Sequence, residues 1–260
     1  MTEPQVDRLR QALNVVFAAA MPVTSYLVIA LGSDFGKETE TATGRHPVIP
    51  AGYAFSIWGL IYAGCFGYAV LQALPIRRSD PLLRRIGWAT ASSFLGVCVW
   101  LGFATFGFTW YTVACILWIA VSLALAFVPV LRRLPTLTRT EGAFVSFPIG
   151  LFAGWITVAT FANYASTMKD YGWSNLGVPE ESQAVGMISV AAGVGGFVAA
   201  RFAAIGYPAA IVWALAAIAA QVAGSSELRN VYLAAVTGAA VITLCLLFGL
   251  SRTRMRSAHA

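Results

Sequence analysis

Eight apolar runs alternate with short polar segments along the chain, at about 9–31, 51–73, 86–106, 108–130, 143–166, 184–202, 207–223 and 229–250. A helix needs about 20 mostly apolar residues to cross the roughly 30 Å of bilayer hydrocarbon. The pattern predicts an all-α fold, a polytopic membrane helical bundle of about eight transmembrane helices, with the seventh run the weakest. The first run follows "MTEPQVDRLR", which mixes acids with arginines. It is longer than the 7–15 apolar residues at the centre of a signal peptide and reads as a retained helix.

Composition agrees with this reading. Hydrophobic residues make up 58% of the chain and charged residues 11%, against about 25% charged in soluble domains. Cys65, Cys98, Cys115 and Cys245 all fall inside apolar runs, where they act as small apolar residues and imply no disulfide framework. The net charge of +6 points to no nucleic-acid partner, because basic residues mark the cytoplasmic loops of membrane proteins. With eight spans, one side carries Arg8, Arg10, Arg77, Arg78, Arg84, Arg85, Arg132, Arg133, Arg139, Arg201, Arg252, Arg254 and Arg256, and the other only Lys37, Arg45, Lys169 and Arg229. This asymmetry predicts an inner or plasma membrane protein with cytoplasmic termini and external loops at about 32–50 and 167–183.

Runs two to five are rich in tryptophan, whereas runs six to eight are rich in alanine and glycine. The expected organisation is a five-helix core at 1–167, an external loop at 168–183, and a three-helix extension with a basic tail at 184–260. Ala192, Gly196 and Ala200 lie four apart, a spacing suited to close helix packing.

The sequence contains no phosphate-binding glycine loop and no Cys/His cluster at metal spacing. Its two histidines, His46 and His259, exclude a multi-histidine metal site, and no catalytic constellation is visible. The expectation is a protein that is no enzyme, holds no metal and requires no cofactor. No charged residue lies deep within a run, which argues against a proton-coupled pump. The lysines, Lys37 and Lys169, lie in loops, so no intramembrane lysine is present for a retinal Schiff base.

The aromatic residues provide the positive signal. From a rise of about 1.5 Å per residue, Trp58, Trp100 and Trp155 on three different helices each lie roughly 10 Å below the outer surface. Helical spacing groups Phe55, Trp58 and Tyr62 on one face, and Trp155, Ala159 and Asn163 on another. Tyr53 falls at the mouth of the second helix and Tyr26 in the outer half of the first. These nine residues are the candidate ligand wall, since aromatic surfaces with a few polar tips suit large planar or sterol-like molecules. Interfacial anchoring is the competing reading. It accounts for Trp88 and Trp110, and lipid or packing contacts account for Trp118 and Trp213.

"PAGYAFSIWGLIY", Pro50 to Tyr62, resembles the second-helix signature of the TspO family of tryptophan-rich sensory and translocator proteins. "GWITVATFANY", Gly154 to Tyr164, is similar to that family's fifth-helix signature at Trp155, Ala159, Thr160 and Asn163. The resemblance spans about 9–166 and leaves the last three helices outside. It implies a pocket for porphyrins, haem-like tetrapyrroles or sterols between the first, second and fifth helices. Trp58 and Trp155 would be walls of that pocket, Ala159 the small residue beside the ligand, and 32–50 the lid. Porphyrin or haem would be a ligand rather than a required cofactor. The expected partners are a hydrophobic small molecule and the lipid bilayer, and a homodimer is a compatible assembly. A TspO-like binding, sensory or translocating protein is the leading reading. An uncoupled small-molecule permease is second. A membrane enzyme using His46, Asp34, Glu38 or Glu40 is third, because a solvated loop explains those residues more simply.

Overall fold

A computed structural model describes residues 3–31, 46–107, 109–173 and 177–258. Eight principal helices and no strand occur among them. They are α1 (Glu3–Ala30), α2 (Ile57–Ala73, entered by a 3₁₀ turn at Gly52–Ser56), α3 (Pro81–Thr105) and α4 (Thr109–Arg133), followed by α5 (Arg139–Asp170), α6 (Glu180–Phe202), α7 (Gly206–Val222) and α8 (Arg229–Ala258). Seven are long and apolar enough to span a bilayer, and the 17-residue α7 is the short one.

Local chemistry sets the helix ends. Asp80 caps α3 by accepting hydrogen bonds from the Leu82 and Leu83 N–H groups at 2.9 and 3.2 Å, and Pro81 follows at a position where no N–H is needed. Thr138 and Glu141 form a reciprocal capping box at the start of α5. Within α5, a π-turn at Gly142–Ser146 precedes Pro148, at the place where proline's missing N–H would interrupt a regular ladder.

The chain divides into two compact units, Met1–Phe35 with Ser56–Ala153, and Gly36–Phe55 with Gly154–Ala260. The expected organisation put a boundary at 168–183. The division between these two units falls inside α5, and it assigns the mouth of the second helix to the same unit as α6, α7 and α8.

In the first unit, α1 packs on α2 and α3, and α3 packs on α4. On α2 and α5 the pairs Trp58–Phe152, Gly64–Pro148 and Gly67–Phe144 run antiparallel. A buried polar clasp joins α1, α2 and α3. Its centre is Arg10, 1% exposed, which donates to Gln72 Oε1 at 3.1 Å, Leu83 O at 3.2 Å and Arg78 O at 3.1 Å. Gln11 Nε2 donates to Gln72 O at 2.6 Å, and Gln72 Nε2 returns a bond to Gln11 O at 2.9 Å. Asn14 bridges Gly87 O and Thr90 Oγ1 at 2.7 and 2.6 Å. The sequence reading placed Arg10 among loop charges. Instead α1 begins at Glu3 and carries Arg10 inside, where backbone carbonyls and Asp7, 3.5 Å away, compensate its charge.

In the second unit, α8 packs along α6 and α7. Ala203 closes α6 in the left-handed conformation, at φ 56°. The most buried helix of this unit is α7, whose Tyr207, Ala210, Ile211, Ala214, Leu215 and Ile218 are all at or below 7% exposure.

Candidate functional site

In the first unit the expected site residues are Tyr26, Trp58, Tyr62 and Trp100. Trp58 and Tyr62, one turn apart on α2, are half-buried, with ring centroids 5.3 Å apart and planes tilted by 31°. Trp58 also meets Phe152 edge-on at 5.9 Å. The aromatic series continues inward through the Phe152–Phe94 stack at 6.4 Å and the Phe94–Tyr68 edge contact at 6.3 Å, and it ends where Tyr68 OH meets Thr90 Oγ1 at 3.0 Å. Trp100 is half-buried near the end of α3. Tyr26 is 71% exposed, so it stands apart from this cluster. Its neighbour Ser25 does reach α2 at this level, with its hydroxyl 2.6 Å from Tyr62 OH.

In the second unit the expected residues are Tyr53, Phe55, Trp155, Ala159 and Asn163. Phe55 meets the ring of Trp155 edge-on at 5.7 Å and 84°, and Trp155 is only 2% exposed. Ala159 and Asn163 belong to a run, 159–164, in which every residue is half-buried. Tyr53 is 55% exposed and meets Trp213 of α7 edge-on at 5.8 Å. Trp213 Nε1 donates to Ala54 O at 2.9 Å, and Ala51 N–H donates to Ala217 O at 3.3 Å. The mouth of the second helix is thus hydrogen-bonded to α7. The sequence reading assigned Trp213 to lipid or packing. The available signal was a single tryptophan among alanines, on a helix with small residues that permit close approach.

Of the expected lid, 32–45 lies outside the described residues. His46, at its end, is 1% exposed. Its Nδ1 accepts the Val48 N–H at 3.3 Å, so the ring proton resides on Nε2, which has no hydrogen-bond partner among the described residues. Burial is the main influence holding His46 below its ordinary pKa of 6.5, Glu180 opposes it and Lys169 adds to it. The two form an ion pair at 3.1 Å. A neutral imidazole ligates a metal through its unprotonated nitrogen, and here that atom faces the Val48 N–H, an arrangement unsuited to axial ligation.

A helical bundle with seven bilayer-length apolar helices and aromatic clusters on its second and fifth helices is an integral, multi-pass membrane protein. A family model described as TSPO-like protein matches residues 11–248, and the chain belongs to that family. The match runs through α6 and α7 into α8. It therefore includes the three C-terminal helices that the sequence resemblance, limited to about 9–166, left outside. No curated protein and no solved structure matches the chain.

Proposed function

We propose that this protein binds a hydrophobic planar ligand, a tetrapyrrole or a sterol-like molecule, and serves a sensory or translocating role rather than a catalytic one. The observation that carries the reading is the half-buried Trp58–Tyr62 pair with its hydroxyl partner Ser25. It combines a flat aromatic surface with polar tips at membrane depth, the chemistry expected of a site for such molecules. Phe55, Trp155, Ala159 and Asn163 of the second unit are proposed, independently of that pair, as contacts for a planar ligand from their aromatic and helical spacing, each to be tested separately. The basic-residue asymmetry supports an inner or plasma membrane location with cytoplasmic termini.

Uncoupled passage of a small molecule is the second reading. The half-buried run 159–164 favours it, since a helix stretch with neither a lipid-exposed nor a packed face suits the lining of a path.

The test is a tryptophan-fluorescence titration of the purified protein with protoporphyrin, haem and a sterol. Saturable quenching by at least one of the three is expected. Purely linear, unsaturable quenching by all of them rejects the binding reading.

A further inference from the structure

The Ser25–Tyr62 hydroxyl pair holds one proton more than it can place. The two oxygens stand 2.6 Å apart, so one donates and the other accepts. Neither side chain makes a second hydrogen bond among the described residues. A serine in a helix commonly turns its hydroxyl back to a carbonyl one turn earlier, as Ser189 does to Val185 O at 2.7 Å, but Ser25 does not. Whichever oxygen donates, the other keeps an O–H with no acceptor. The pair lies within α1 and α2, where bilayer hydrocarbon supplies no water to accept it. Both residues are half-buried rather than sealed, and the Trp58 ring lies against Tyr62. The described part of α1 beyond Arg10 and all of α2 contain no Asp, Glu, Lys or Arg. A charged ligand group would find no counter-ion on these two helices among the described residues, whereas a neutral acceptor needs none.

We infer that Ser25 and Tyr62 form the polar anchor of the ligand site. The pair donates one O–H to a neutral acceptor on an otherwise apolar planar molecule that lies against Trp58. The acceptor is a ketone, ester or ether oxygen, or an unprotonated ring nitrogen. This rests on the binding reading above and specifies which class of ligand that reading admits. It also accounts for a hydroxyl pair at a depth where two apolar side chains would pack α1 on α2 equally well.

Fluorenone and fluorene test it, being fused three-ring molecules of nearly the same outline in which a carbonyl replaces a methylene. Both are titrated into the purified full-length protein in lipid nanodiscs by calorimetry, with thermal unfolding followed on the same samples. Wild-type protein is expected to prefer fluorenone by about fivefold, the ratio that one net hydrogen bond gives. The double variant Ser25→Ala/Tyr62→Phe should bring the ratio to within about twofold of unity, because each single change leaves one O–H able to donate. Trp58→Ala should weaken both probes equally. A preference that survives in the double variant overturns the inference, and a lowered unfolding temperature alongside it shows that the pair only ties α1 to α2. Equal, Trp58-dependent binding of both probes to wild type also overturns the anchor while leaving the binding reading intact. Absence of saturable binding by either probe overturns both.

Discussion

Gly87→Ala should reverse the sign of its effect when Arg10 is removed. A Cβ at Gly87 would lie 2.7 Å from Arg10 Cδ, 2.9 Å from Cγ and 2.9 Å from Nη1. A free arginine side chain would swing aside, but three hydrogen bonds to Gln72, Leu83 and Arg78 fix this one. In the wild-type protein the added methyl should therefore cost about 1–3 kcal/mol as overpacking, which outweighs the roughly 1 kcal/mol that alanine gains over glycine in a helix interior. In an Arg10→Ala background the clash disappears and the same substitution should stabilise by about 0.5–1 kcal/mol. Arg10→Ala itself should fall near or below the low end of the roughly 3–5 kcal/mol for stripping a buried ion of its partner, because Asp7 keeps Arg84 at 3.2 Å. The four variants form a double-mutant cycle, measured by reversible denaturant unfolding in mixed micelles, with an expected coupling of about 2 kcal/mol. Additivity within about 0.5 kcal/mol would refute the idea that Gly87 is present to clear a fixed guanidinium.

Three further outcomes follow from local geometry. His46 is held below its ordinary pKa of 6.5, so the unfolded chain takes up a proton first. Its contribution to stability should be complete above about pH 6.5 and be lost as the pH falls through the folded value; thermal unfolding between about pH 5 and 7.5 should show this limb flattened in His46→Gln, and an unchanged pH profile would contradict it. Gly154→Ala would drive a Cβ into the backbone oxygen of Tyr207, so it should destabilise by at least about 1–3 kcal/mol in denaturant titration, whereas a neutral result would deny the close approach of α5 to α7. Ala203→Gly should raise stability by roughly 1 kcal/mol, because φ of 56° is strained for alanine and free for glycine; a loss would count against the left-handed cap.

The helices were legible because membrane spans are specified by long apolar runs, and the weakest run proved to be the helix that falls short of spanning length. The face of a helix was harder to read when adjacent residues both suited the role. Tyr26 was the α1 residue read as a ligand contact, and the neighbour about 100° around the helix, Ser25, is the one whose hydroxyl meets Tyr62. The burial of Arg10 was not legible because a charge count carries no depth, and burial depends on distant acceptors such as Gln72 and Arg78. The hydrogen bonds from Ala51 and Trp213 were hidden for a similar reason. They join positions far apart in sequence through backbone groups, which leave no mark on residue type.

The most direct measurement of the central claim is planar-ligand affinity, with unfolding followed in parallel, for Trp58→Ala, Trp155→Ala and Trp88→Ala. Trp88 is 43% exposed near the start of α3 and serves as the control. The account predicts that Trp58→Ala weakens binding by about 1–3 kcal/mol, the scale of an aromatic stacking contact, while Trp88→Ala leaves affinity unchanged; Trp155→Ala tests the second unit's own proposed contact separately. Equal affinity across all three variants, with Trp58→Ala and Trp155→Ala losing only the few kcal/mol of stability expected from a cavity, would contradict it.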